Sequence, residues 1–162
     1  MVKINKTILP VIGLASSTLA AYNAFPFSPG FDIQKVAALA QSRPSHSWEW
    51  GTAAEALLEL YNPELSVFAA RPFPVPTVNY SDVLALSYAA SKVVWGVSFD
   101  TFSANNGAAG DPSSFGVSAV LIGKTNQTFA DGADATVTGL FNDVPRFSNG
   151  AISHRASVPE LW

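Results

Sequence analysis

The stretch SHSWEWGTAAEALLELY, residues 45–61, decides the fold because its apolar residues recur at helical spacing. Five apolar residues share one face: Trp50, Ala54, Leu57, Leu58 and Tyr61. This pattern is typical of an amphipathic helix packed on a core. Thr52 and Glu55 have capping-box spacing, Ser47 competes as the N-cap, and Asn62-Pro63 ends the pattern. We therefore expect a helix within residues 48–61.

Spacing and start signals predict four further helices, at residues 31–41, 81–95, 111–123 and 130–142. Asp111-Pro112 is a start signal, with Asp as N-cap and Pro at the first helical position. The last helix has a predicted apolar face of Ala130, Ala133, Val137, Leu140 and Phe141. Alternating prolines favour an extended connector at residues 71–81, and residues 97–103 allow one short strand. The sequence thus predicts an all-α fold of paired helices joined by long loops.

The composition is that of a folded, weakly acidic chain. The 162 residues carry a formal charge of −3, with 48% hydrophobic and 13% charged residues, which excludes a disordered chain. No basic cluster is present, so no nucleic-acid partner is expected. The absence of Cys excludes a thiol nucleophile and Cys-ligated metal sites, and no His spacing matches a metal site. No cofactor or metal is expected.

The amino end, residues 1–20, has the pattern of a secretory signal peptide. Lys3 and Lys6 precede an apolar stretch at residues 7–19, and small residues follow at the cleavage region. The alternative, a membrane anchor, needs about 20 apolar residues, more than this stretch supplies. We expect a secreted, extracellular protein without a stable membrane span. Two sequons, at Asn79 and Asn126, are predicted glycosylation sites, and Asn5 would leave with the signal.

Candidate site residues lie in loops and at helix starts. His46 and His154 are the two histidines of the chain. Trp48 is a possible platform for a sugar ring, whereas Trp50 lies on the apolar face and fits the core better. Three carboxylates lie near loops and are candidates for acid–base work: Glu49, Asp100 and Asp111. Asp111 is better explained as an N-cap.

Two blocks, SHSWEWGTAAEALLEL at residues 45–60 and DVPRFSNGAISHRASVPELW at residues 143–162, resemble fungal six-hairpin glycosidases. The chain is similar to unsaturated rhamnogalacturonyl and glucuronyl hydrolases. The resemblance rests on a Trp-rich helix start, and on a small-residue turn leading to His154 and then, after a spacer, to Trp162. It implies an (α/α)6 toroid, of which residues 21–162 would form the first two to three hairpins.

The resemblance also implies the reaction and the roles of residues. In the family an Asp protonates the C4=C5 double bond of an unsaturated uronic acid, water adds at C5, and the hemiketal collapses to release the sugar. His154, Trp162 and Trp48 would bind this substrate, a uronic-acid oligosaccharide or polysaccharide. The catalytic Asp is expected beyond Trp162, so the 162 residues alone would be inactive.

Two alternatives to a hydrolase remain open. In the first, the chain is a non-catalytic secreted module that binds carbohydrate or another partner. In the second, it is a secreted helical protein whose likeness to the family is chance.

Overall fold

The computed structural model describes residues 27–159, in which helices are joined by long loops. Five α-helices follow in order: α1 Ile33–Ser42, α2 Ser47–Tyr61, α3 Leu84–Lys92, α4 Gly116–Gly123 and α5 Gln127–Asn142. Three 3₁₀ helices lie between them, at Pro63–Leu65, Tyr80–Asp82 and Pro112–Phe115. The described range contains isolated β-bridges but no strand: residues 97–102 form bends and turns, and Ser103 forms one bridge with Val94. The predicted all-α class is confirmed.

The core forms where helix pairs meet. α2 packs against α3 and the Pro112–Phe115 turn, α4 packs against α5, and α1 lies on α2. Four aromatic rings join these layers: Trp95, Phe102, Phe115 and Phe129. Phe102 is fully buried among them. The fold is therefore organised around α2, the helix of the quoted stretch.

The predicted start of α2 is wrong in detail. The N-cap is His46, with extended backbone, and Glu49 at the third helical position accepts from the His46 backbone N–H at 3.0 Å. Thr52 does not cap, because its hydroxyl donates to the Trp48 carbonyl inside the helix. The capping box lies six residues earlier than the Thr52–Glu55 spacing indicated.

The predicted role of Asp111 as N-cap is also wrong. Its backbone is already helical, with φ −61° and ψ −45°, and its side chain makes no capping bond. A capping carboxylate needs an extended backbone to reach the following N–H groups. Pro112 instead begins a 3₁₀ turn that continues into α4.

The buried face of α5 differs in part from the predicted one, of which Ala133 packs against the core and Ala130 and Leu140 are half-buried. Its buried residues are Phe129, Gly132, Thr136 and Gly139, whereas Val137 and Phe141 are 56% and 63% exposed. A Cβ at Gly139 would overlap Ser98 and the backbone of Phe99, so the 98–99 turn lies against the helix itself. Gly132, Thr136 and Gly139 therefore face the protein beside Phe129, whereas Val137 and Phe141 face outward.

Candidate functional site

The capping carboxylate of Glu49 organises the start of α2. Its Oε2 accepts from the backbone N–H of Ser45 at 2.6 Å and of His46 at 3.0 Å. The Ser45 hydroxyl and His46 Nδ1 lie 3.2 and 3.3 Å from the same oxygen. These backbone bonds to the ionised form lower the Glu49 pKa to about 2. Glu49 is thus a fixed carboxylate, and it is unsuited to donate a proton near neutral pH.

The two tryptophans beside Glu49 have different environments. Trp50 is partly buried, and its indole N–H donates to the Pro44 carbonyl at 3.0 Å. Lys92 Nζ lies 6.0 Å from the Trp50 ring centroid and 5.4 Å from that of Tyr88. The pKa of Tyr88 is raised by burial and by the negative charge of Glu49. Trp50 therefore fixes the packing of α2, while Trp48, 50% exposed, remains open to solvent.

Trp48 lines a groove between the end of α1 and the start of α2, which we call the Trp48 groove. Its volume is about 390 Å³, in the range of small-molecule sites. Its apolar wall is built from Leu39, Ala40, Pro44, Ala53 and Ala56. Arg43, Glu49 and Thr52 supply its polar groups. An exposed aromatic beside a few polar groups is the arrangement that sugar-binding sites use.

His154 lies on a different segment, which the loop at residues 106–109 connects to α2. Asn106 Nδ2 donates to Ser47 Oγ at 2.7 Å. The same loop bonds to the carboxyl-terminal segment: Ala109 N–H donates to the His154 carbonyl at 2.7 Å, and Ala156 N–H donates to the Gly107 carbonyl at 3.0 Å. His154 is partly buried and is not among the residues lining the Trp48 groove. Loop 106–109 thus brings the two sequence blocks to one end of the protein.

Gly51 permits a second contact at this end. A Cβ at Gly51 would overlap Ser114, so a side chain there is excluded by the Pro112–Phe115 turn. The Ser114 hydroxyl donates to the Ser47 carbonyl at 3.1 Å. The first turn of α2 is therefore fixed from two sides, which holds Trp48 and Glu49 in place.

The other carboxylate candidate, Asp100, has a structural role. Its Oδ1 accepts from the Val97 N–H at 3.3 Å and its Oδ2 from the Asn105 N–H at 2.9 Å. It closes the turn that leads from α3 towards loop 106–109. No group of three or more metal-ligating side chains occurs within residues 27–159.

The sequon asparagines both begin helical turns. Asn79 Oδ1 accepts from the Ser81 N–H at 3.4 Å, and its Nδ2 donates to Asp82 at 3.0 Å. Asn126 Oδ1 accepts from the Thr128 N–H at 3.1 Å and caps α5. A glycan attaches at Nδ2, so the cap at Asn126 is compatible with glycosylation. The predicted signal peptide and the predicted substrate residue Trp162 lie outside the described residues.

Sequence reasoning missed Arg43 and Asn106. Arg43-Pro44 is a helix-ending pair in the sequence, and only the structure brings this cation into the Trp48 groove. The sequence signal that could have found it is a cation five residues before Trp48. Asn106 lies in a Gly- and Ser-rich loop, and its contact with Ser47 spans 59 residues, so no local pattern marks it.

No helix within residues 27–159 combines the length and apolarity needed to cross a membrane. Comparison of the chain with protein-family models, with curated proteins and with solved structures finds no match.

Proposed function

We propose that this chain is the amino-terminal, substrate-binding part of a secreted six-hairpin hydrolase that hydrates unsaturated uronyl sugars. One observation carries the proposal: the two blocks that resemble the family, around Trp48 and around His154, are joined at one end of the fold by loop 106–109. In a toroid of hairpins, a cleft at one end of the ring is lined by segments that are distant in sequence, so these segments must lie close together.

The helix pairing supports the toroid part of the proposal. α2 with α3 and α4 with α5 are packed pairs, and α1 lies on α2. Val137 and Phe141 on α5 are exposed apolar side chains that a further hairpin would cover. The proposal extends this pairing to an (α/α)6 ring.

The chemistry assigned to the chain is binding and orientation. The family reaction needs a proton on the C4=C5 double bond, and the vinyl ether is reactive enough for one positioned acid to serve. Glu49 is held ionised by its four contacts, and both Asp100 oxygens accept backbone N–H groups. In the family pattern the proton comes from an Asp after the position of Trp162. Trp48, His154 and Trp162 are assigned to the substrate.

A non-catalytic carbohydrate-binding module is the second candidate. The observation favouring it is the capping role of Glu49, the single carboxylate among the residues lining the groove. Such a module would bind the sugar through Trp48 without turnover.

The test uses the protein secreted by its native source beside the recombinant 162-residue chain. Each is given an unsaturated uronyl disaccharide, and the loss of its ultraviolet absorbance is followed. We expect turnover by the native product, sugar binding without turnover by the 162-residue chain, and a native mass above that of the 162-residue chain after removal of N-glycans. Binding without turnover by both would favour the module. Binding by neither would refute both candidate functions.

A further inference from the structure

We infer that the Trp48 groove is a subsite for an acidic sugar residue, in which Arg43 pairs with the sugar carboxylate and Trp48 stacks on the ring. The inference rests on the proposed function and names the carboxylate-binding residue that the sequence left unassigned. It is carried by the side chains that share the groove.

Trp48 supplies the aromatic platform of the groove. Half of Trp48 is exposed, although this residue lies in the first turn of the central helix. Burial of its neighbours Ser47 and Gly51 fixes the backbone on both sides. The ring is thus presented on a rigid support, and an indole face packs well on the C–H face of a pyranose.

Arg43 supplies a cation whose backbone is also fixed. Its backbone N–H donates to the Leu39 carbonyl at 2.9 Å at the end of α1, and the carbonyl of the next residue, Pro44, accepts the Trp50 indole N–H. Within residues 27–159, no carboxylate or carbonyl pairs with its guanidinium. The planar guanidinium matches a carboxylate with two parallel hydrogen bonds. Arg43 is therefore the free cation of this groove, within the described part of the chain.

The remaining charges nearby are already engaged. Lys92 lies over the rings of Trp50 and Tyr88, on the core side of α2. The negative charge of Glu49 faces the backbone N–H groups of Ser45 and His46 through Oε2. Glu49 Oε1 has no donor among residues 27–159, so it is available to accept a sugar hydroxyl. The groove thus offers an aromatic face, one cation and, in the Glu49 carboxylate, one negatively charged hydroxyl acceptor.

This set of groups favours an acidic sugar over a neutral one. A neutral pyranose would satisfy Trp48 and Glu49 and would leave the exposed Arg43 guanidinium to water. A uronic acid satisfies all three, and its carboxylate complements the positive charge of Arg43. An experiment must therefore distinguish binding of an acidic sugar from binding of a neutral one.

The experiment compares binding of a glucuronyl disaccharide with that of its carboxyl-reduced counterpart by calorimetry. Three variants of the 162-residue chain change the groove: Arg43→Gln, Arg43→Lys and Trp48→Ala. Arg71→Gln, which removes an exposed cation outside the groove, is the matched control. Because the substituted side chains are exposed, circular dichroism is expected to show an unchanged fold.

We expect the acidic sugar to bind about tenfold more tightly than the neutral one. Arg43→Gln should abolish this ratio without weakening the neutral sugar, Arg43→Lys should retain part of it, and Arg71→Gln should change neither. Trp48→Ala should weaken both sugars. Equal binding of both sugars, or a ratio untouched by Arg43→Gln, would overturn the carboxylate subsite and leave sugar binding intact. Failure of both sugars to bind the folded protein would overturn the subsite and count against the proposed function as well.

Discussion

Asn106 donates from its Nδ2 to the hydroxyl of Ser47, 59 residues earlier in the chain, over 2.7 Å. Its Oδ1 accepts from the Ala108 N–H at 3.0 Å. One amide side chain therefore holds the shape of its own loop and attaches that loop to the start of α2. Because the same loop bonds to residues 154 and 156, Asn106 controls how the carboxyl-terminal segment meets the Trp48 end of the protein.

Asn106→Ala should destabilise the protein by about 1–2 kcal/mol, since its three side-chain hydrogen bonds, to Ser47, Ser103 and Ala108, are lost in a partly buried position. We also expect faster hydrogen exchange at the amides of Ala109 and Ala156, which donate across this junction. Ser47→Ala is the control, because it removes the bond to α2 and leaves the internal loop bond. Unchanged exchange at both amides in Asn106→Ala would contradict the linking role.

Glu49 should make stability depend on acidic pH. Its pKa falls from an ordinary 4.5 to about 2 on folding, so its contribution is present above pH 4.5 and is lost as the pH falls towards 2. Glu49→Gln should therefore be less stable than the wild type near neutral pH, and the difference should shrink below about pH 4.5. The free energy of unfolding, measured by urea titration across this range, checks it. Glu55→Gln controls for the loss of one charge from α2. If the difference in unfolding free energy between Glu49→Gln and the wild type is constant with pH, the ionised Glu49 carboxylate does not stabilise the fold.

Gly139→Ala should destabilise the protein by about 1–3 kcal/mol, the usual cost of overpacking. The added methyl would overlap the Phe99 backbone and Ser98, and backbone cannot move aside as a flexible side chain can. Gly132→Ala should cost less, because its methyl would meet ring atoms of Phe102 at 3.0 Å while Ala favours the helix by about 1 kcal/mol. Gly116→Ala, with nothing within 4 Å, is the control. Thermal unfolding ranks the three, and equal stability of Gly139→Ala and wild type would disprove the close packing.

Thr136→Val should stabilise the protein by about 1 kcal/mol. The Thr136 hydroxyl is buried and has no hydrogen-bond partner within residues 27–159. A methyl group of similar shape avoids the desolvation of that hydroxyl. Thr138→Val, on the exposed side of α5, should change stability by less than about 0.5 kcal/mol. A destabilised Thr136→Val would indicate a partner for the hydroxyl.

Asn126 has two separable roles, as helix cap and as sequon. In unglycosylated recombinant protein, Asn126→Ala should lose about 1 kcal/mol, because it removes the N-cap of α5. Thr128→Ala should keep that stability, since only the Thr128 backbone N–H donates to the cap. In protein secreted by a eukaryotic cell, both variants should lose the same N-glycan mass. A stability loss in both unglycosylated variants would show that the cap is not the cause.

Local patterns predicted the helices well because each depends on residues close in sequence. The helix within residues 48–61 is found at Ser47–Tyr61, and the buried face contains Ala54, Leu57, Leu58 and Tyr61 as expected. Predicted helix ends were less accurate. Helix α3 was expected from residue 81 but begins at Leu84, because Asn79 caps a separate 3₁₀ turn at Tyr80–Asp82.

Long-range contacts decided what the sequence could not show. The buried face of α5 depends on the 98–99 turn lying against Gly139. Hydrophobic periodicity does not reveal such a contact between segments that are distant in sequence. The Trp48 groove likewise needs the end of α1 beside α2, which brings Arg43 to Trp48. Candidate residues were identifiable by type, whereas their neighbours required the fold.

The packing of α5 through Gly132 and Gly139 has a consequence for how this helix tolerates mutation. Positions 132 and 139 leave no free space for a larger side chain, although neither carries a hydrophobic residue. Positions 137 and 141 should accept polar replacements in the isolated protein, although they look like core positions by hydropathy. A saturation library of α5 would thus select against large side chains at positions 132 and 139 and would accept polar side chains at positions 137 and 141.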